Sequence, residues 1–167
     1  MTKMRVSIEV DAPPADVWSA ISDFGNIFRW NPAVPKSHLT SDQADGVGTT
    51  RHCDLTVPGA SIEERVIEWK PGSHYRVDIY ESKRVPFVRN MNAEVGVVPS
   101  GEGSVAYFSP SYDTSAGPIG KIMDRLVMRP QYQKVGRAFV AGLKYYVETG
   151  QDVERNSPLA KDHVLVA

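Results

Sequence analysis

The chain has 167 residues, 41% of them hydrophobic and 23% charged, with a formal net charge of -1. This predicts one globular domain with a real core, and without a dense basic run it excludes a general electrostatic pull toward nucleic acid or an anionic membrane. The single cysteine, Cys53, rules out an internal disulfide and a cysteine-built metal cluster.

The N-terminal Met-Thr-Lys-Met-Arg leads into Val6, Ile8 and Val10, which alternate with Ser7 and Glu9 as a half-buried strand does. No secretory signal or membrane span is expected, and a cytoplasmic location is the default. Asp11 breaks the strand, and Pro13-Pro14 suit the first turn of a helix, where a missing N–H costs nothing. Val17, Trp18 and Ile21 fall at helical spacing. Ser22-Asp23 offers a cap for a second short helix through Phe24, Ile27 and Phe28. Trp30-Asn31-Pro32 forces an extended exit, because the residue before proline avoids the helical region.

A meander follows. Lys36–Thr40 reads as a short polar edge strand, and Thr49–Val57, Ser61–Trp69, Tyr75–Glu81, Val88–Val98 and Val105–Tyr112 as the next five. Turn signals separate them at Pro58-Gly59, Lys70-Pro-Gly-Ser73 and Pro99-Ser-Gly-Glu-Gly103. Such short connections imply antiparallel neighbours. Gly117-Pro118 then opens a long helical stretch. Ile119, Ile122, Met123, Leu126 and Val127 form one stripe, and Val135, Phe139, Leu143 and Tyr146 form another. Pro130 predicts a kink or break near Met128-Arg129, and Gly150 a stop. Lys121, Arg125, Arg129, Lys134 and Arg137 read as the solvated face of this helix. Residues 1–150 make one domain. The tail, 151–167, is expected to be loosely ordered or to add a small strand.

The resulting class is α+β: a curved antiparallel sheet of about seven strands wrapped around a long C-terminal helix, with two short helices after the first strand. Where sheet and helix do not meet along their full length, a cavity remains as the default binding site. Arg51, Cys53 and Leu55 share one face of their strand. Glu64 shares a face with Ile62 and Val66 on the hairpin partner, so Arg51 and Glu64 can lie near each other on one side. The pair is either a ligand anchor for a carboxylate, phenolate or carbonyl, or an ion pair that ties the hairpin. With Trp30, Cys53, Tyr75, Met91, Tyr107 and Phe139 they form the candidate ligand-binding set. His52 and Asp54 share the opposite face, but no third metal ligand sits at useful spacing. No nucleophile elbow and no phosphate loop is present.

This order resembles the START-like superfamily with the helix-grip fold, which includes the polyketide cyclase/dehydrase and lipid-transport group. The residues that carry the resemblance are Ala12-Pro13 with Val17-Trp18, Asp23-Phe24, Trp30-Asn31-Pro32, Gly48 with Arg51, Glu64-Arg65-Val66, Trp69-Lys-Pro71, and Tyr145-Tyr146-Val-Glu148. The resemblance implies a small hydrophobic molecule (a lipid, a polyketide or an aromatic compound) held between sheet and long helix. Val85-Pro86-Phe87 and Thr114–Gly120 would then form the mouth. A cyclase/dehydratase-type enzyme using the same cavity is the alternative. No cofactor, metal or nucleic acid is implied, no catalytic residue is assigned, and a homodimer stays open.

Overall fold

The structure, a computed structural model, describes residues 1–85, 88–114, 122 and 124–167. Among these residues nine strands form one antiparallel sheet: β1 (Thr2–Lys3), β2 (Val6–Val10), β3 (Lys36–Leu39), β4 (Thr50–Asp54), β5 (Ser61–Lys70), β6 (His74–Lys83), β7 (Val88–Ser100), β8 (Gly103–Thr114) and β9 (Leu165–Val166). Their order is β3-β4-β5-β6-β7-β8-β2-β9, with β1 also paired to β8. The five hairpins from β3 to β8 follow from the short connections, whereas β2 closes onto β8 across the whole meander, Val6 opposite Phe108 and Val10 opposite Ser104. The two strands beyond the expected seven are the two-residue β1 and β9.

Curvature has visible causes. Register shifts interrupt the β5–β6 ladder at Glu63/Glu64 and at Val66/Glu68, and the β7–β8 ladder between Arg89 and Asn92. Each extra residue bends its strand and increases the local twist, so the sheet curls around one face. Asn90, at φ 49°, sits in the last of these irregularities.

That face is covered from two directions. Helix α1 (Pro14–Ser22) starts with Pro14 in its first turn and buries Val17, Ala20 and Ile21. It packs against β7, β8 and the long C-terminal helix. The second short helix is a 3-10 segment, Phe24–Arg29, and buries Phe24 and Ile27 while Phe28 faces outward. Asp23 makes no side-chain cap there. Its carboxylate instead accepts from the Asn26 amide at 2.9 Å.

The long helix begins, within the described residues, as one π-type turn, Asp124–Met128, and continues as α2, Arg129–Thr149. The expected interruption ahead of Pro130 is therefore a change of hydrogen-bond pattern at Met128/Arg129, where proline lacks a donor. The expected start of the helix at Gly117-Pro118 lies outside the described residues. α2 ends at Gly150, which takes the left-handed conformation at φ 70°. Gly136 and Gly142 let this helix lie close: a methyl group at Gly142 would overlap the Trp30 carbonyl, and one at Gly136 would press on Val6.

The tail does not hang free. The Val153 amide donates to the Arg29 carbonyl at 2.7 Å, and the Arg29 guanidinium meets Asp152 at 2.9 Å. β9 then pairs with β2, Ser7 opposite Leu165. No helix is long and apolar enough to cross a membrane among the described residues.

Candidate functional site

Between the curled sheet and α2 lies a cavity of about 450 Å³. β4 through β8 supply its floor and walls, and the π turn with the first half of α2 supplies its roof. Ile62, Val77, Ile79, Val95 and Phe108 are typical of the lining. The strand positions follow from alternation: β6 sends Val77 and Ile79 inward, and β8 sends Phe108 and Tyr112.

Among the described residues, three charged side chains interrupt this apolar surface: Arg84, which is exposed, and the buried Arg51 and Glu64. Arg51 on β4 and Glu64 on β5 are direct register partners. Arg51 Nε donates to Glu64 Oε2 at 2.5 Å, and Arg51 Nη1 donates to the Phe24 carbonyl at 2.8 Å. The guanidinium also lies over the Phe24 ring, 3.9 Å from its centroid. Both side chains are almost wholly buried, at 3% and 7% exposure. Burial, the largest single influence, works to lower the Arg51 pKa, but the Glu64 carboxylate together with Cys53 and Tyr75 outweighs it and holds the guanidinium above its ordinary value. The pair is thus an ionised couple placed in the cavity wall.

Cys53 and Tyr75 lie beside this couple. Cys53 Sγ donates to Glu64 Oε2 at 3.5 Å. Burial pushes the thiol pKa up, more strongly than Arg51 draws it down. Burial likewise pushes the Tyr75 phenol up to about 12. The Tyr75 ring stacks on Trp69 at 5.6 Å and meets Phe24 edge-on at 5.5 Å.

The candidate residues therefore separate. Arg51, Glu64, Met91 and Phe139 line the cavity. Cys53, Trp30 and Tyr75 are buried behind the wall rather than in it: Trp30 packs edge-on against Phe139 at 4.8 Å and holds it in place. Tyr107 requires a correction. It occupies the other face of β8 from Phe108, donates its hydroxyl to Glu94 at 2.8 Å and lies under Arg5, whose guanidinium is 3.6 Å from the ring centroid. The residues missed are Phe108 and Tyr112, which alternate with Tyr107; counting β8 from Ala106, the fully buried position, places them inward.

Tyr112 leads to a second polar group at the helix end of the cavity. Its hydroxyl donates to Asp124 Oδ1 at 2.6 Å, Thr2 donates to Asp124 Oδ2 at 3.0 Å, and Arg129 approaches the same oxygen at 3.3 Å. Tyr132 stacks on Tyr112 at 4.6 Å. Burial, then the Asp124 carboxylate, raises the Tyr112 pKa. Asp124 thus ties the N-terminal strand, β8 and the long helix together. The expected mouth segments coincide largely with Pro86, Phe87 and residues 115–120, which lie outside the described residues; Val85 and Arg84 do line the cavity.

On the opposite face of β4, His52 sits between two carboxylates. Its Nδ1 meets Glu63, its Nε2 meets Asp54 at 3.1 Å, and the His38 ring lies 5.2 Å away, centroid to centroid.

Comparison with known proteins fits this arrangement. The sequence pattern of one family, described as polyketide cyclase/dehydrase and lipid transport, matches residues 1–148. The chain belongs to that family. Its fold is the helix-grip fold of the START-like superfamily, shared with solved structures at low identity. XoxI from Bacillus cereus is 20% identical, with a TM-score of 0.71 over 89% of this chain and 97% of its own. A START superfamily protein from Mycobacterium smegmatis is 14% identical, with a TM-score of 0.67 over 90% and 100%. Ara h 8.0201 is 15% identical, with a TM-score of 0.69 over 89% and 98%. No curated protein matches this chain.

Proposed function

We propose that this protein binds a small hydrophobic molecule, of lipid, polyketide or aromatic character, in the cavity between sheet and α2. The observation that carries this reading is the cavity itself: about 450 Å³, apolar over most of its wall, with one buried ion pair in it. A cavity of that size, largely apolar and with a few convergent polar groups, has the makeup of a ligand site. Burying apolar ligand surface there contributes about 25 cal/mol per Å², which reaches several kcal/mol for a medium-sized molecule. Phe108 and Phe139, stacked at 4.3 Å, offer an aromatic surface against which a flat or chain-like ligand can lie.

The ion pair supports an anchoring part rather than proton transfer. Arg51 and Glu64 are hydrogen-bonded to each other, and Arg51 also to the backbone. A general acid or base must be within reach of its substrate and able to change charge in the act. A buried carboxylate locked to a guanidinium is poorly placed for either.

Native mass spectrometry of freshly purified protein, with a thermal-shift screen of apolar compounds, tests the reading. Co-purified mass, or a raised melting temperature with particular lipids or aromatic compounds, is expected. A clean apo mass together with no stabilisation by any apolar compound would refute it.

A further inference from the structure

The ion pair also restricts the charge of the ligand, an inference that rests on the cavity being a ligand site. Considered alone, a buried arginine suggests a carboxylate or phenolate ligand. Its surroundings argue otherwise. Arg51 already has its counter-charge in Glu64, at 2.5 Å, and the couple is neutral as a whole. A ligand anion at this position would be a third charge, leaving a net negative charge against Ile62, Val77 and Ile79 with no further buried cation beside it among the described lining residues. An unbalanced ion in such surroundings carries a large desolvation cost.

Cys53 and Tyr75 adjoin the couple, and burial pushes both further toward their neutral forms. Arg51 nevertheless has donors to offer. A guanidinium carries five N–H groups; Nε serves Glu64, and Nη1 serves the Phe24 carbonyl. Asn31 lines the cavity too, and its side-chain oxygen is taken by the Ala33 amide, which leaves the NH₂ end as its contribution. Around the couple, the described wall therefore supplies hydrogen-bond donors without spare buried charge. Arg84, the other cationic side chain among the described lining residues, is exposed, where water screens it and its pull on an anion is small.

We propose that the cavity selects an uncharged ligand bearing a hydrogen-bond acceptor, such as a ketone, an ester or a quinone-like carbonyl, and discriminates against the matching carboxylate or amine. Glu64 is the specificity-determining residue: it cancels the charge that would otherwise attract acids.

The test is a displacement titration with Nile red, an uncharged dye, against methyl laurate, laurate and dodecylamine. Methyl laurate should displace the dye at a concentration at least about tenfold below the two charged compounds, a modest fraction of the cost of burying an unpaired ion. In Glu64→Gln, Arg51 is left without its counter-charge, and laurate should gain on methyl laurate by at least about tenfold. Laurate binding to the unaltered protein as tightly as methyl laurate overturns the proposal but leaves the cavity reading intact. A Glu64→Gln protein that folds, by circular dichroism, and shows no gain for laurate also overturns it. Should that variant not fold, the acid-to-ester ratio in the unaltered protein decides alone. If neither the dye nor any of the three compounds binds, the cavity reading falls, and this one with it.

Discussion

At the scale of single residues, the chemistry concentrates on Arg51 and Glu64. Each is nearly inaccessible to water, and each is tolerable only because the other is present. Arg51→Met should therefore destabilise the protein by about 3–5 kcal/mol, because Glu64 is left buried and unpaired. The double variant Arg51→Met, Glu64→Leu should recover most of that loss, since it removes both charges together. Urea denaturation of the three proteins checks this. A double variant no more stable than Arg51→Met would show that the two side chains are not coupled. The structure makes positions 51 and 64 direct register partners; that their side chains share one face of the hairpin was legible in the sequence, from period-two alternation. The donation to the Phe24 carbonyl was not, since the 3-10 segment reaches β4 only in three dimensions.

At the scale of elements, β3 to β5 form the free end of the sheet, and His52 is their outer fastening. Hydrogen bonds to Glu63 and then Asp54 raise its pKa in the folded state, against about 6.5 in the unfolded chain. A group whose pKa rises on folding stabilises fully below its unfolded value and loses that contribution as pH climbs through the folded one. The melting-temperature advantage of the unaltered protein over Glu63→Gln should accordingly be larger near about pH 5.5 than near about pH 8.5. A constant difference across that range would show that His52 does not act here. Periodicity identified these strands well, although the reading ran β4 on to Val57. The chain leaves the ladder after Asp54, and Leu55 and Ala60 close the turn at Gly59 instead, at φ 73°. The two inward positions on β8 were misjudged for a related reason. Aromatic residues occupy both faces, so alternation alone does not say which face looks inward.

At the scale of the whole molecule, the cavity exists because a bent sheet and the long helix meet only in part. β5 bends at its two bulges, and α2 is held at the other end by Gly142 against Trp30 and by β2 against Gly136. Filling the space should then remove binding without removing the fold. Ile79→Trp points extra volume into the cavity from β6. We expect Nile red binding to be lost while the melting temperature stays within a few degrees. Retained binding with a normal melting temperature would place the ligand elsewhere.

The sequence by itself determined the element order, the antiparallel meander, the amphipathic C-terminal helix and the family. All of these depend on local periodicity, turn chemistry and short connections, which are properties of neighbouring residues. Tertiary structure alone decided that the cavity stays open, that Phe108 and Tyr112 rather than Tyr107 line it, that Asp124 fastens Tyr112, and that the tail returns as β9. These depend on how far the sheet bends and on contacts between residues more than a hundred positions apart, such as Thr2 with Asp124, which no local pattern encodes.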